Sequence, residues 1–236
     1  MASPKYTGWQ TGGMTGHACR TLAAAMKTPW NTSLPLLLVG TTSAGKIREL
    51  RQLLAELPAT VVFPADLGID LDVAEGETSF VANAMLKARA YRRASGLMTI
   101  GEDSGFAVDA LGGEPGVISA RWGGTDYTVK NQLVVDRLAG LPEAERGCGY
   151  ISVLAIAMPD GRVFRRTGWC RGRVAEAPVG TGGFGYDPIF YVPELGRTMA
   201  QLEPAEKDAI SPRGRAVRKA LPLLRALLAE LSSVSS

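Results

Sequence analysis

The chain predicts an α/β fold with a mixed central β-sheet flanked by helices. Strand-like apolar runs alternate with amphipathic helical segments through the first half, a long β-hairpin pattern fills the middle, and a proline-initiated helix closes the chain.

Pro35 to Gly40 reads as a buried strand, and Lys46 to Leu57 as a helix with Ile47, Leu50, Leu53, Leu54 and Leu57 on one face. A short strand is expected over Thr60 to Phe63, followed by the acidic loop "DLGIDLDVAEGETS". The next helix runs from Phe80 to Ser95, with Ser79 as N-cap and Gly96 past its end. Leu97 to Ile100 reads as a strand leading into "GEDSG", and Phe106 to Leu111 as a further strand before the turn-rich "GGEPG". Asp126 is placed to cap a helix ending near Ala139. Cys148 to Met158 and Val163 to Val174 form a hairpin around the turn "PDGR". The last helix starts with Ser211 as N-cap and Pro212 at its first position, where a missing N–H costs nothing. Pro222 lies inside that pattern and is expected to kink or split the helix.

With 236 residues, 46% hydrophobic and 21% charged, the chain suits one core, and a single domain is expected over 34–232. Residues 1–33 differ: they carry Lys5, Arg20 and Lys27, no acidic residue and no periodicity, and read as a disordered leader. Without those three charges, the remaining 23 basic residues balance the 23 acidic ones, so there is no excess for binding nucleic acid. No segment reaches the roughly 18 apolar residues of a membrane span. The leader's apolar run, Leu22 to Met26, is too short for a signal-peptide core, and an overlong start is preferred to a transit peptide.

Cys19, Cys148 and Cys170 are odd in number and never spaced as CxxC, so neither a disulfide framework nor a zinc site follows, and a cytoplasmic location fits. The single histidine, His17, is in the leader, which removes histidine-based triads and histidine-ligated zinc. Acid–base chemistry is left to carboxylates, lysine, tyrosine or metal-bound water.

Gly40 to Lys46 spells G-x-x-x-x-G-K between a strand and a helix, but Ile47 stands where a P-loop needs a metal-binding hydroxyl. "GEDSG" places Glu102, Asp103 and Ser104 after a buried strand, either as a hydrogen-bonded turn or as a site. Glu75 and Glu77 precede a helix, where dipole complementarity is one sufficient explanation of them. Together the two loops offer carboxylates for a hard cation such as Mg²⁺, which takes one or two of them plus phosphate oxygens. "GTGGFGYDP" contains G-x-G-x-x-G but leads into "IFYV" instead of a helix, so it is no dinucleotide fingerprint. It presents Phe184 and Tyr186 as core anchors or as a stacking face for a base, with Asp187 alongside. Lys207 and Arg213 in "EKDAISPRGR" are a solvated basic face or donors to a ligand, and Lys87 and Arg121 are lone charges among small or apolar residues.

In order, "TTSAGK", "EGETSFVANAMLKA", "GEDSGFAVDALGGEPGVISARW", "GTGGFGYDPIF" and "AEKDAISPRG" resemble the inosine triphosphate pyrophosphatase family, over about residues 35 to 228. The resemblance implies two lobes with the active-site cleft between them. It implies Mg²⁺-dependent cleavage of non-standard purine nucleoside triphosphates (dITP/ITP, XTP/dXTP) to monophosphate and pyrophosphate, by a homodimer. Its phosphate loop, T-x-N-x-x-K, matches Thr41, Thr42, Ser43, Ala44, Gly45 and Lys46. Glu75 matches a metal ligand, Asp103 a metal ligand that also accepts the proton of the attacking water, and Ser104 a substrate contact. Either Glu77 or Glu102 is left to complete the metal shell. Lys87 and Arg121 match substrate contacts. Phe184, Gly185, Tyr186 and Asp187 match the loop that cradles the base, and Lys207, Pro212 and Arg213 its edge.

Two positions depart from the family pattern: Ser43 replaces asparagine, and Pro212 replaces the histidine of "SHRG". A lost hydrogen-bond donor costs roughly 1 to 3 kcal/mol, which bears on base discrimination more than on hydrolysis. The rival readings are a P-loop nucleotidase releasing orthophosphate and a nucleotide-binding protein without catalysis. Ile47 speaks against the first, and the retained Glu75, Glu102 and Asp103 against the second.

Overall fold

The computed structural model describes residues 34–234, so the leader, with His17 and Cys19, lies outside the described residues. The strands are β1 (Leu36–Val39), β2 (Thr60–Val62), β3 (Met98–Val108), β4 (Gly147–Ala157), β5 (Val163–Val174), β6 (Phe190–Val192) and β7 (Arg197–Thr198). The helices are α1 (Ala44–Leu53), α2 (Phe80–Ser95), α3 (Tyr127–Arg137), α4 (Pro204–Ile210) and α5 (Pro212–Val234). All seven strands form one mixed sheet in the order β2, β1, β3, β4, β5, β6, β7. β1 pairs in parallel with β2 and β3, and the remaining pairs are antiparallel. A parallel pair needs a crossover, which α1 and α2 supply, whereas β4 and β5 need only the Pro159–Gly161 turn.

Helices cover both faces of the sheet. Leu50 and Leu54 of the α1 segment join Val217, Leu224 and Leu228 of α5 over Val39, Ile100, Leu154 and Ile156. On the opposite face, Ala84 and Ala88 of α2 pack on Val153, Ala155 and Ala157. A third cluster around Phe106, Val134, Leu138, Tyr186 and Phe190 fills the β5–β6 side beneath α3.

The "GEDSG" segment is the main correction to the sequence reading. It is no turn between two strands. β3 runs unbroken through it, with Glu102 opposite Leu154, Asp103 opposite Val153 and Ser104 opposite Ser152. The flanking glycines serve close approach. A Cβ at Gly101 would stand 2.4 Å from the backbone of Ala84 and Ala88, and one at Gly105 would stand 2.4 Å from the Gly116 carbonyl. The residues expected at a strand's carboxyl end therefore sit at mid-strand, and successive side chains leave on opposite faces.

Pro222 does not split α5. Pro222 is on the exposed side of the helix, while Val217, Leu224 and Leu228 keep the opposite side packed. α1 begins at Ala44, two residues before the expected start. α2 is capped as expected, with Ser79 Oγ accepting from Ala82 N and Gly96 left-handed at φ 72°. Asp126 caps α3 through Thr128 N at 2.8 Å.

Candidate functional site

A cleft with a volume of about 350 Å³ opens where the loop before α1, the acidic loop before α2, mid-β3, the 117–121 segment, the 184–187 loop and the start of α5 meet. The alternation of β3 divides its chemistry. On the α1/α5 face, Glu102 is 1% exposed and faces Lys46 Nζ at 2.7 Å; its Oε1 accepts from Ser152 Oγ at 2.7 Å and from Arg213 Nη2 at 3.1 Å. Burial pushes the Glu102 pKa up, but Arg213 and Lys46 outweigh it and hold the carboxyl far below the usual range. Ser104, two residues on and so on the same face, accepts from the same Arg213 nitrogen at 3.2 Å.

Asp103 leaves on the α2 face. Its Oδ1 accepts from Lys87 Nζ at 2.9 Å and its Oδ2 from Asn83 Nδ2 at 3.2 Å. Lys87 Nζ also lies 3.1 Å from Glu75 Oε2. Burial raises the Asp103 pKa, and Lys87 only partly opposes it. Burial alone would lower the Lys87 pKa, but Asp103 and Glu75 hold it above the ordinary value. Asn83 also pins the acidic loop, accepting from Gly76 N at 2.9 Å and donating to Gly76 O at 3.0 Å.

Glu75 and Asp103 reach the same ammonium, so their oxygens bound one small space in which a cation is already accommodated. That donor set fits a hard divalent cation that completes its shell with phosphate oxygens and water. Among the described residues no group of three or more metal-binding side chains occurs. Neither extra carboxylate considered for the shell joins this pair. Glu102 is committed to Lys46 and Arg213, and Glu77 is exposed and loosely paired with Arg121 at 3.5 Å.

At the other end of the cleft, Lys207 of α4 pairs with Asp187 and with Glu49 Oε1, the latter at 2.7 Å, and Arg213 pairs with Glu49 Oε2. The Phe184 ring lies under both cations, 4.9 Å from Lys207 Nζ and 5.4 Å from Arg213 Cζ. Asp187 Oδ2 accepts from Phe184 N at 2.7 Å and so fixes that loop. The two aromatic residues have different roles. Both line the cleft, but Phe184 is half-buried and Tyr186 buried, the latter stacked on Phe106 at 4.8 Å with its hydroxyl donating to Ser119 O at 3.1 Å. Buried Arg213 Nε has no hydrogen-bond partner among the described residues.

The structure brings Thr41, Thr42, Ser43 and Lys46 to the cleft together with Lys87, Ser104 and Arg121. It also brings Gly185 and Pro212 there. Two phosphate-loop positions are placed differently: Ala44 is exposed outside the lining, and Gly45 lies under Phe184, where a Cβ would meet the ring at 2.6 Å. Ile47 packs against the core and carries no hydroxyl. Sequence reasoning missed Glu49 and Asn83. Each is three or four residues from a site lysine on the same helix face, Glu49 from Lys46 and Asn83 from Lys87, and that spacing was the available signal. Cys148 and Cys170 are free buried thiols, pushed up by burial, and contribute nothing here.

A cleft in a mixed α/β sheet, lined by lysines and arginines that carboxylates hold in place, beside an aromatic ring, defines a protein that handles a polyanion carrying a flat ring. The chain belongs to the Ham1 family, whose sequence profile matches residues 37–223. It is 46% identical over 230 residues to the dITP/XTP pyrophosphatase of Anaeromyxobacter dehalogenans, covering 81% of this chain and 97% of that protein. It is likewise 46% identical to the dITP/XTP pyrophosphatase of Symbiobacterium thermophilum, covering 82% and 97%. Among solved structures, the Ham1 protein of Staphylococcus aureus superposes with a TM-score of 0.70 at 34% identity, covering 83% of this chain and 98% of that one. A HAM1 protein from Coxiella burnetii gives 0.73 at 33%, covering 81% and 98%.

Proposed function

We propose that this chain hydrolyses non-standard purine nucleoside triphosphates, dITP/ITP and XTP/dXTP, to the monophosphate and pyrophosphate. The reading is supported by the dITP/XTP pyrophosphatase relatives and, above all, by one geometric feature: Asp103 sits between Lys87 and Asn83 in the same cleft as Lys46 and the Phe184, Lys207, Arg213 cluster.

The first-turn N–H groups of α1 have no intrahelical partners and, with Thr41, Ser43 and Lys46, receive phosphate oxygens. Lys87 and Arg121 hold the remainder of the chain of phosphates. Glu75 and Asp103 would hold Mg²⁺, which when bound offsets the phosphate charge and makes the phosphorus more electrophilic. Asp103, made more basic by burial and oriented by Asn83, takes a proton from water as the water oxygen bonds to the α phosphorus. The bond from that phosphorus to the bridging oxygen breaks, and pyrophosphate leaves with the electron pair.

The base lies against Phe184, and its 6-keto oxygen accepts from the Lys207 and Arg213 edge beside that ring. Adenine presents a donor at that position and clashes. Pro212 offers no side-chain donor, so the edge rests on two cations and base preference is relaxed. The same reading includes a cytoplasmic homodimer with residues 34–232 as one domain, binding neither nucleic acid nor membrane. No helix among the described residues is long and apolar enough to cross a membrane.

The test is incubation with dITP, XTP, dGTP and dATP plus Mg²⁺, with identification of the phosphate product. Pyrophosphate from dITP and XTP, with dATP slowest, is expected. Orthophosphate or no turnover would refute the activity, and equal rates on all four would remove the base selectivity. Asp103→Asn should keep the fold and lower turnover by roughly 10³-fold or more, and wild-type rates would take Asp103 out of its role.

A further inference from the structure

Helix α3 carries a buried cation that the proposed mechanism does not use. Lys130 is 0% exposed, and no carboxylate among the described residues lies within ion-pair distance. Burial lowers its pKa from the ordinary lysine value, with no opposing acidic group. Its Nζ donates to Ala120 O at 2.6 Å and lies 3.4 Å from Ser119 O, with the Tyr127 ring 4.2 Å away. Burying an ammonium group without a counter-charge is costly, and apolar residues of similar size often serve stability as well. Core packing alone therefore does not account for a lysine here.

The two carbonyls it holds immediately precede Arg121, whose own side chain is about half exposed and has only loose partners, Glu77 at 3.5 Å and Gly76 O at 3.4 Å. Nothing on the side chain fixes Arg121 over the cleft, so its aim is set by its backbone. That backbone is fastened from three directions. Ser119 Oγ accepts from Phe106 N at 2.9 Å, Tyr186 donates to Ser119 O, and Lys130 binds the last two carbonyls before Arg121. The next residue of the same helix, Asn131, donates to Gly185 O at 3.1 Å in the loop that carries Phe184.

We propose that Lys130 is a positioning residue for the reaction, acting through the Ser119–Ala120 carbonyls to aim Arg121 at the phosphates. The proposal rests on the functional reading above, in which Arg121 is a phosphate contact.

The test is a double-mutant cycle of Lys130→Met and Arg121→Ala on the full chain. It is read as kcat and KM for dITP, and separately as the affinity for a purine nucleoside triphosphate made non-hydrolysable between its α and β phosphates. Lys130→Met alone should lower kcat/KM roughly 10- to 100-fold, the scale of one misplaced substrate contact. In the Arg121→Ala background the same change should cost less than about twofold, because the residue it acts through is gone. Lys130→Gln, which keeps a donor without the charge, should restore part of the loss. Additive effects would overturn the proposal, as would loss of folding in both Lys130 variants, which would make Lys130 a folding residue. If the wild type fails to hydrolyse dITP, the functional reading falls, while the binding cycle still decides whether Lys130 works through Arg121.

Discussion

Replacing Glu102 tests whether this carboxylate organises the cations of the cleft or belongs to the metal shell. In Glu102→Ala, Lys46 and Arg213 lose an anion that meets them at 2.7 and 3.1 Å from a fully buried position, and Ser152 loses its acceptor. Breaking a buried pair by removing one partner costs about 3 to 5 kcal/mol. The low end applies, because Arg213 keeps Glu49 and the Lys46 side chain is 17% exposed, so water can take over part of its solvation. At about 3 kcal/mol, a domain of this size should lose about 6 to 12 °C in Tm. Glu102→Gln keeps the volume and an acceptor for Ser152, and should cost about half as much.

Thermal melts and steady-state pyrophosphate release over a Mg²⁺ titration read both effects. kcat/KM should fall roughly 10- to 100-fold as Lys46 loses its aim, while the Mg²⁺ concentration for half-maximal rate stays put. Glu102→Ala melting within about 2 °C of wild type would refute the charge-hub reasoning. A large shift in Mg²⁺ requirement with unchanged Tm would instead make Glu102 a metal ligand.

The carboxyl of Glu49 is pushed up by burial but held below its ordinary value by Arg213 and Lys207, so its contribution to stability is complete above the unfolded carboxylate value of about 4.3 and is lost as pH falls through the folded one. Urea unfolding at a series of pH values should show the wild-type advantage over Glu49→Gln at pH 7 shrinking below about pH 4, and parallel curves would remove Glu49 from that role. Gly45→Ala relieves a helix of a glycine worth about 1 kcal/mol, but its Cβ would stand 2.6 Å from the Phe184 ring. The ring must move to admit that Cβ, so Tm should hold or fall while KM for dITP increases several-fold, and an unchanged KM would mean that Phe184 does not contact the base.

The elements that could be read from the sequence are those whose ends carry their own chemistry. α2 begins at Ser79 and ends at Gly96 because an N-cap hydroxyl and a left-handed glycine are local requirements. β5 occupies the expected Val163–Val174 because "PDGR" closes a hairpin that fixes its register. Gly101 and Gly105 were misread because glycine serves two needs that look alike in sequence, reversing the chain and letting another backbone come close. Only the positions of α2 and of the Gly116 carbonyl show that the second applies. Glu49 in "KIRELRQLL" looks like any solvated charge on an amphipathic helix, and its partners Lys207 and Arg213 are more than 150 positions away. Lys130 is hidden for the same reason in "YTVKNQL". The resemblance to known pyrophosphatases supplied the residues aimed into the cleft but not those that hold them there.

The pleat of β3 gives the cleft its division of labour. Glu102 and Ser104 leave on one face and meet Arg213, which Glu49 also holds, while Asp103 leaves on the other and meets Lys87 and Asn83. The cations proposed to grip the ligand are thus set by one face of the strand, and the carboxylate proposed to act on water by the other, although the residues are adjacent in sequence. A slip of one residue in the β3–β4 register would exchange the two sets, so the register must be held tightly, and its ten consecutive pairs from Thr99↔Ala157 to Val108↔Cys148 do so. With Lys46, Lys87, Lys207 and Arg213 already paired, an incoming triphosphate must compete with carboxylates. Glu102 and Asp187 are buried and fixed, whereas the Glu75 side chain is 32% exposed and that of Glu77 73%, both on a loop that can shift as phosphate arrives. Entry of the substrate should therefore rearrange the acidic loop and leave β3, α4 and α5 in place.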